Sequence, residues 1–102
     1  MDHRQVISEK LHKIIGSEVY FEPPESVKIK DFPAIIYKFS GYEKKQADDG
    51  RYFLRERYNV LHIYLKVHEQ RRTEFMDKFP YCSFDRTYVA DGLHHDSYVI
   101  YI

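Results

Sequence analysis

The feature that most constrains the fold of this chain is a ten-residue stretch of alternating side chains at residues 58–67. Its odd-numbered positions carry four apolar residues, which are Leu61, Ile63, Leu65 and Val67. Its even-numbered positions are mixed in character, and they are Tyr58, Val60, His62, Tyr64 and Lys66. Side chains on a strand alternate between its two faces, and no glycine or proline interrupts the stretch. We therefore predict a central β-strand that turns its apolar, odd-numbered side toward covering helices.

Two segments have the three- and four-residue spacing of apolar positions that is typical of amphipathic helices. The first covers residues 2–15, and its stripe consists of Ile7, Leu11 and Ile14, with Val6 and Ile15 beside them. Gly16 follows at the place where a helix commonly ends in a left-handed residue. The second helix is predicted over residues 69–79 and is ended by Pro80, and its stripe consists of Phe75, Met76 and Phe79.

Three further strands are predicted from alternation and from β-branched and aromatic residues. Residues 34–39 follow Pro33 and lead into Ser40-Gly41, where we expect a bulge or bend. Residues 81–90 form a strand, one face of which is expected to carry Cys82, Phe84 and Tyr88. After the Asp91-Gly92 turn, residues 97–102 form a closing strand, one side of which carries Tyr98, Ile100 and Ile102.

A charged hairpin leads into the central strand. Residues 42–46 extend outward, residues 47–50 contain the Asp-Gly signal of a tight turn, and residues 51–57 return. Both legs are rich in charge, so a hairpin that leaves the body of the domain cannot bury them by itself. Two interpretations stay open, a solvated β-arm and a protrusion that contacts a neighbouring molecule. Residues 18–31, which contain two prolines, are predicted as a loop with short extended pieces at residues 19–21 and 27–29.

The predicted order of elements is helix, three strands, helix, two strands. We therefore expect an α+β fold, in which a mostly antiparallel sheet has two helices packed on one face and a protruding β-hairpin. The 102 residues suit a single domain over residues 1–102. At about 3.3 Å per residue, a ten-residue strand crosses most of such a domain.

The charge balance and the composition narrow the classes of partner and location. Sixteen basic residues are offset by 16 acidic ones, which argues against nucleic acid as the main partner and predicts no sequence-specific nucleic-acid binding. No apolar run has the length of a signal peptide or a membrane span, so a cytoplasmic protein without membrane contact is expected. Tyrosine occurs 10 times and tryptophan is absent, a bias that half-exposed strands explain and that interfaces explain as well.

No catalytic, cofactor-binding or metal site is predicted from the residues. The cluster His94-His95-Asp96 is the best metal candidate, but adjacent residues on a strand point to opposite faces. Cys82 is the single cysteine and lies in an alternating strand, where a free thiol is usually inert packing. The motifs of P-loops, nucleophile elbows, zinc proteases and dinucleotide-binding folds are absent from the sequence. A small enzyme that uses Asp85 with the two histidines stays open as an alternative.

The pattern resembles the small tail-completion and tail-terminator proteins of long-tailed bacteriophages and prophages. The residues that carry the resemblance are Phe32-Pro33-Ala34-Ile35-Ile36-Tyr37, Ala47-Asp48 with Tyr52, residues 59–65, Tyr81, residues 84–88 and residues 98–102. The resemblance covers about residues 32–102, with a compatible first helix. At residues 66–69 the chain departs from the family, which often has an acidic or proline-containing helix start there.

The resemblance implies a structural virion protein without enzymatic activity or cofactors. Such proteins assemble in the host cytoplasm into homo-oligomeric rings, commonly hexamers, which cap the tail tube at the tail–head junction. The expected partners are further copies of this chain, a tail tube protein and head–tail connector proteins. The hypothesised interface combines the hairpin with one charged pair, and its residues are Tyr42, Lys44, Lys45, Asp48, Asp49, Arg51, Arg55, Arg57, Asp85 and Arg86. A small protein-binding adaptor without catalytic activity is the alternative.

Overall fold

The computed structural model describes residues 3–16, 18–23, 29, 31–46, 50 and 52–102. The helices are α1 (His3–Ile15) and α2 (Arg72–Lys78), with a single 3₁₀ turn at Val67–Glu69. The strands are β1 (Glu18–Phe21), β2 (Ala34–Gln46), β3 (Tyr52–Tyr64), β4 (Cys82–Ala90) and β5 (Leu93–Tyr101). They form one sheet in the order β1-β2-β3-β5-β4, in which β1 and β2 are parallel and the other neighbours antiparallel. The predicted α+β class and order of elements are confirmed.

β3 is the middle strand of the sheet, as predicted, but its ends differ from those of the alternating stretch. It begins at Tyr52, because the return leg of the hairpin is continuous with it. It ends at Tyr64, where its pairing with β5 also ends, and the chain then bends into the 3₁₀ turn. Leu65 and Val67 therefore lie outside the strand and are exposed. Alternation identifies a strand but does not show where its neighbours stop pairing with it.

The face of β3 that the helices cover is the opposite of the predicted one. The buried side chains of the even-numbered side are Tyr58, Val60, His62 and Tyr64. The odd-numbered side is covered by neither described helix. Ile63 on this side is nevertheless buried, and Leu61 is half-buried. Leu65, which was expected in the core, is 54% exposed. The central strand was thus identified correctly, and its orientation was predicted wrongly.

The neighbouring strands decide which side of β3 is covered. Val60 pairs with Tyr37 of β2 and with Tyr98 of β5, and all three side chains belong to the hydrophobic core. Leu61 has Ser97 as its partner on β5. The even-numbered side therefore belongs to the more apolar face of the whole sheet, although the odd-numbered side is the more apolar one within β3 alone.

Both helices pack on the same face of the sheet, as predicted, and enclose one core. α1 contributes the expected stripe, which is Ile7, Leu11 and Ile14. Facing the helices are side chains of three strands, which are Ile35, Tyr37, Tyr58, Val60, Tyr98 and Ile100. Gly16 ends α1 with a φ of 61°, and its N–H donates to the carbonyl oxygen of His12 at 2.7 Å. This left-handed end is the one that the glycine predicted.

α2 has seven residues and is shorter than the helix predicted over residues 69–79. Its first turn has no side-chain cap in the described chain, and the residues before it form the 3₁₀ turn instead. Phe75 and Phe79 are buried as predicted, and the ring centroid of Phe75 lies 4.2 Å from that of Tyr98. Met76 is exposed, contrary to the prediction, because so short a helix turns only a narrow side toward the sheet.

A bulge in β4 overturns the predicted face of that strand. The register between β4 and β5 shifts after Phe84, so Asp85 is the extra residue. Cys82 and Phe84 lie on the helix-covered side, where their partners on β5 are core residues. Tyr88 lies on the open side, where its ring stacks on His95 at 4.8 Å between centroids. The prediction that these three side chains share one face is wrong at Tyr88.

The predicted bulge and turn are both present. The register of β2 against β3 shifts between Phe39 and Gly41, as expected for Ser40-Gly41. Asp91 and Gly92 join β4 to β5 with φ values of 54° and 75°, which suits a type I′ turn. β1 contains the extended piece expected at residues 19–21, whereas the piece at 27–29 and the turn at 47–49 fall largely or wholly outside the described residues. None of the helices described is long and apolar enough to cross a membrane.

The reversed faces of β3 predict different responses to a charge at neighbouring positions. Val60→Asp places an unpaired carboxylate in the core and is expected to lower the free energy of unfolding by about 4 kcal/mol or more. Leu61→Asp puts the same group on the open side, where water reaches it, and is expected to cost about 1 kcal/mol. Urea denaturation followed by circular dichroism measures both losses. A larger loss for Leu61→Asp would contradict the assignment of faces.

Candidate interaction surface

The outer half of the β2–β3 hairpin leaves the body of the sheet. β1 pairs with β2 as far as Tyr37, and β5 pairs with β3 from Arg57 inward. The backbone of Glu56 still exchanges two hydrogen bonds with Ile102. Beyond that point, β2 and β3 pair with each other within the described residues as far as Gln46 and Tyr52. We call residues 42–46 and 52–55 the arm. The molecule, with the arm included, measures 50 × 28 × 23 Å.

The arm is fixed at its base by Arg57, which clamps the bulge in β2. Its Nε donates to Ser40 Oγ at 3.0 Å, and its Nη2 donates to the Ser40 carbonyl oxygen at 3.0 Å. Ser40 Oγ in turn donates to the carbonyl oxygen of Arg57 at 3.1 Å. Gly41 has a φ of 135°, and a Cβ there would lie 3.4 Å from Arg57 Nη2. Arg57, predicted as an interface residue, therefore has a structural role at this bulge.

The arm carries large apolar side chains on both of its sides. One side, which we call the Phe53 side, consists of Glu43, Lys45, Phe53 and Arg55. The other side consists of Tyr42, Lys44 and Leu54, with Gln46 near the tip. Phe53 is 48%, Leu54 55% and Tyr42 64% exposed. A two-stranded ribbon has no core of its own, so these side chains have nothing on the ribbon to bury them.

The Phe53 side is partly ordered by charge and by aromatic contacts. Lys45 Nζ lies 3.1 Å from Glu43 Oε1, which forms a salt bridge along one leg. The guanidinium of Arg55 lies 5.3 Å from the ring centroid of Phe53 and 3.9 Å from that of Tyr81. Arg55 thus connects the arm to the start of β4 through cation–π contacts.

The open face of the sheet contains a groove with a volume of about 330 Å³. Two apolar side chains, Ile36 and Leu61, contribute to its lining. The polar and aromatic lining comes from Lys38, Asn59, Asp85, Arg86, Tyr88 and Ser97. We call this concavity the open-face groove. It lies on the side away from both helices, because its lining residues other than Val60 occupy the strand positions that alternate with those of the core.

Charged groups lie next to one another in the groove. Arg86 Nε lies 3.9 Å from Asp85 Oδ2, and Ser97 Oγ donates to the same carboxylate oxygen at 3.3 Å. The guanidinium of Arg86 lies 5.5 Å from the centroid of Tyr88, which itself stacks on His95. The bulge brings Asp85 and Arg86 together at this groove, whereas an unbulged strand would turn them to opposite faces.

The residues predicted for the interface fall into three groups. Tyr42, Lys44, Lys45 and Arg55 lie on the arm, and Arg57 lies at its base. Asp85 and Arg86 line the open-face groove on the main body of the sheet, apart from the hairpin. The remaining three, Asp48, Asp49 and Arg51, lie outside the described residues. The hypothesised interface therefore spans two distinct surfaces, the arm and the groove.

Several residues of these surfaces were not predicted. The apolar members Phe53, Leu54 and Leu61 were not predicted. The hairpin interface was predicted from its charged residues, and Leu61 was assigned to the core. The position of Lys38 in the groove depends on strand pairing, and that of Tyr88 depends on the β4 bulge. The sequence pattern shows neither. An Asp-Arg pair that interrupts an alternating strand was the available signal for a bulge, since charged residues there would otherwise point to both faces.

A buried polar cluster attaches α2 to the sheet. Asp96 is fully buried, and its Oδ2 accepts hydrogen bonds from Tyr64 at 3.0 Å and from Arg72 Nε at 3.1 Å. Arg72 Nη2 donates to Oδ1 of the same carboxylate at 3.2 Å. Burial raises the pKa of Asp96, but the hydrogen bonds from Arg72, Thr87 and Tyr64 outweigh that effect and hold the pKa below its usual value. Asp96 is therefore ionised and paired.

Two other polar groups in this region are buried without partners. Neither ring nitrogen of His62 nor the hydroxyl of Tyr98 has a hydrogen-bond partner in the described part of the chain. Burial lowers the pKa of His62 to about 4, more than the nearby Asp96 carboxylate raises it. Burial likewise raises the pKa of Tyr98, so its hydroxyl stays protonated. His62 packs as a neutral ring between Tyr64 and Phe75, at centroid distances of 4.8 Å and 5.5 Å.

The residues considered for metal binding or nucleophilic chemistry do not converge. His94 stacks on Tyr64 and His95 stacks on Tyr88, on opposite faces of the sheet as alternation requires. Across the described ranges, no three histidine, cysteine or acidic side chains group as metal ligands. Burial raises the pKa of Cys82 to about 11, so its thiol stays protonated at neutral pH and is a poor nucleophile.

Comparison with known proteins gives no family assignment. No protein-family model matches the chain, and no curated protein matches it. The resemblance to tail-terminator proteins therefore rests on sequence segments within residues 32–102. It supports a proposal and not a family assignment.

The buried His62 predicts a loss of stability on mild acidification. Its pKa is about 4 in the folded chain and about 6.5 when unfolded, so the unfolded state binds more protons between these values. Stability is complete above about pH 6.5 and falls by about 3 kcal/mol as the pH drops to 4. His62→Phe should remove this loss, because phenylalanine does not titrate. The substitution leaves no polar group unpaired among the described residues, since neither ring nitrogen of His62 has a partner there.

Denaturant unfolding at pH 7, 5.5 and 4 measures the effect for the protein and for His62→Phe. Asp96 adds a separate loss of stability below about pH 4. Its pKa is lower in the folded than in the unfolded chain, so the stabilisation by its ionised carboxylate is lost as the group becomes protonated there. Identical slopes of stability against pH for both proteins between pH 6.5 and 4 would contradict the role assigned to His62.

Proposed function

We propose that this protein is a non-catalytic structural component of a phage tail that assembles into a homo-oligomeric ring. In this proposal the ring caps the tail tube at the tail–head junction of the virion and joins it to the head connector. The resemblance over residues 32–102 suggests the class, and the arm is the structural observation that supports it. The arm carries exposed apolar side chains on both sides of a two-stranded ribbon.

An arm of this kind is best explained by a partner that covers it. An isolated two-stranded hairpin is marginal in water, because it buries little apolar surface. Phe53, Leu54 and Tyr42 are each about half or more exposed, although the same side chains would stabilise the protein if covered. Docking on a neighbouring molecule removes that apolar surface from water and orders the ribbon.

A second copy of the chain is a partner with the required geometry. The arm and the open-face groove are different surfaces, so contact between them is heterologous, and such contacts generate closed rings when the rotation between copies closes. The chain has no net charge, so copies do not repel one another over long range. The tail tube and the connector would then bind the two faces of the ring.

The alternative is a small protein-binding adaptor that uses the same arm on a cellular target. The arm also supports this function, because its exposed side chains do not specify which protein covers them. The oligomeric state separates the two proposals, since an adaptor of this size acts as a monomer and a tail terminator acts as a ring.

Shortening the arm should abolish assembly without unfolding the domain. Replacing residues 44–54 by Asn-Gly keeps the pairing of Glu43 with Arg55 and closes the hairpin with a two-residue turn. We expect native mass spectrometry of the unaltered protein to give an integral multiple of 12.4 kDa, six being the multiple that the resemblance implies. The shortened protein should give the single-chain mass.

Circular dichroism and thermal unfolding of the shortened protein provide the control, because the core lies outside the arm and should be unchanged. Tail assembly is then tested by adding the ring to purified tail tubes and imaging the tube ends by negative-stain electron microscopy. An unaltered chain that stays monomeric up to millimolar concentration would reject the ring and favour the adaptor.

A further inference from the structure

We propose that the Phe53 side of the arm docks into the open-face groove of the neighbouring copy. This inference rests on the proposed self-assembly and names the two surfaces that would form each junction. Phe53 is about half exposed on the arm, and the groove offers Ile36 and Leu61 as an apolar contact area. Its volume of about 330 Å³ is in the range of cavities that bury small ligands, so an aromatic side chain fits.

The charges of the two surfaces are complementary in both signs. The Phe53 side carries Glu43 and Lys45 as a salt bridge of 3.1 Å, and the groove carries Asp85 and Arg86 at 3.9 Å. In the junction, Glu43 faces Arg86 and Lys45 faces Asp85, so that the two pairs within the copies are exchanged for two pairs between them. Each surface thus has an apolar centre with an ion pair beside it, and the two exchanged pairs set the register of docking. Each surface also carries one further cation, which is Lys38 in the groove and, on the arm, Arg55, whose guanidinium lies against the rings of Phe53 and Tyr81.

A protein surface suits this groove better than nucleic acid does. A nucleic-acid site needs a local excess of cations to neutralise phosphates, and it places bases on exposed rings. The groove holds two cations, Lys38 and Arg86, but Asp85 lies beside Arg86 and would face the phosphates of such a ligand. The arm of a second copy supplies both a cation for Asp85 and an anion for Arg86.

The size of the contact explains why a ring is the stable product. The arm is two strands wide and about five residues long, or roughly 10 Å by 16 Å, which is small beside a standard interface of about 800 Å² per partner. A single junction is therefore weak. Closure of a ring gives every copy two junctions and makes the last contact intramolecular, which raises its effective concentration.

Complementation between two defective variants tests the docking directly. Phe53→Asp damages the arm and leaves the groove intact, and Leu61→Asp damages the groove and leaves the arm intact. We expect each variant alone to be monomeric by native mass spectrometry. At millimolar concentration, which compensates for the weakness of a single junction, an equimolar mixture should form a heterodimer and nothing larger by small-angle X-ray scattering, because it contains one intact arm facing one intact groove. Met76→Asp is the matched control, because it puts the same charge at an exposed apolar position of α2, away from both surfaces, and it should assemble as the unaltered protein does.

A charge exchange provides the second test. Glu43→Arg and Arg86→Glu should each raise the protein concentration needed for assembly at least tenfold, because each brings like charges together. The double variant should return that concentration to within about threefold of the original value. Sedimentation velocity over a concentration series measures all four proteins, and circular dichroism shows that each is folded.

The outcomes separate this docking from the proposed function. If the unaltered protein assembles and Phe53→Asp or Leu61→Asp assembles equally well, the docking is wrong and the ring stands. If both variants are folded monomers whose mixture stays monomeric at millimolar concentration, the pairing of these two surfaces is wrong. If the double charge variant is as defective as the single variants, the assigned register is wrong. An unaltered protein that never assembles overturns the ring and the docking together.

Discussion

The even-numbered side chains of β3 are buried because both helices pack on them, and this packing determines what every other surface presents. Val60 lies between Tyr37 and Tyr98 across three strands, and α1 closes the layer above them with Ile7 and Leu11. A sheet with helices on one face builds its main core on that face. The opposite face therefore keeps polar and charged side chains around a few apolar ones, and the open-face groove is the result.

A short helix needs more than apolar contacts to stay on this sheet. α2 has seven residues and is held by the stacking of Phe75 on Tyr98 and by the hydrogen bonds of Arg72 to Asp96. A buried carboxylate with its partner removed is costly, so the pair adds a polar constraint on the position of the helix to that of the apolar packing. The unpartnered His62 beneath it opposes this stability and confines the cluster to a pH range in which the imidazole is neutral.

The sequence was sufficient to predict the class of fold, the order of elements, the central strand and the stripe of α1, because each depends on local periodicity. It was insufficient for the orientation of β3, because the choice of covered face depends on the sum over neighbouring strands, and Ser97 opposite Leu61 cannot be known before the register is. The length of α2 and the exposure of Met76 were missed for a similar reason, since the 3₁₀ turn before the helix leaves no signal in apolar spacing. Of the candidate surface, the charges of the hairpin and the pair Asp85 and Arg86 are visible in the sequence, whereas the position of Lys38 and the separation into arm and groove depend on the register.

The two bulges explain why charge collects on the side of the sheet that the helices leave open. A one-residue shift turns every following side chain to the other face. In β2 the bulge after Phe39 places Glu43 and Lys45 on the side of Phe53, whereas an uninterrupted strand would have directed them toward the helices. In β4 the bulge at Asp85 moves Arg86 and Tyr88 to the open side in the same way. Because Arg57 clamps the first bulge through the backbone and side chain of Ser40, the side that the arm presents is fixed before any partner binds, and docking does not have to supply that order.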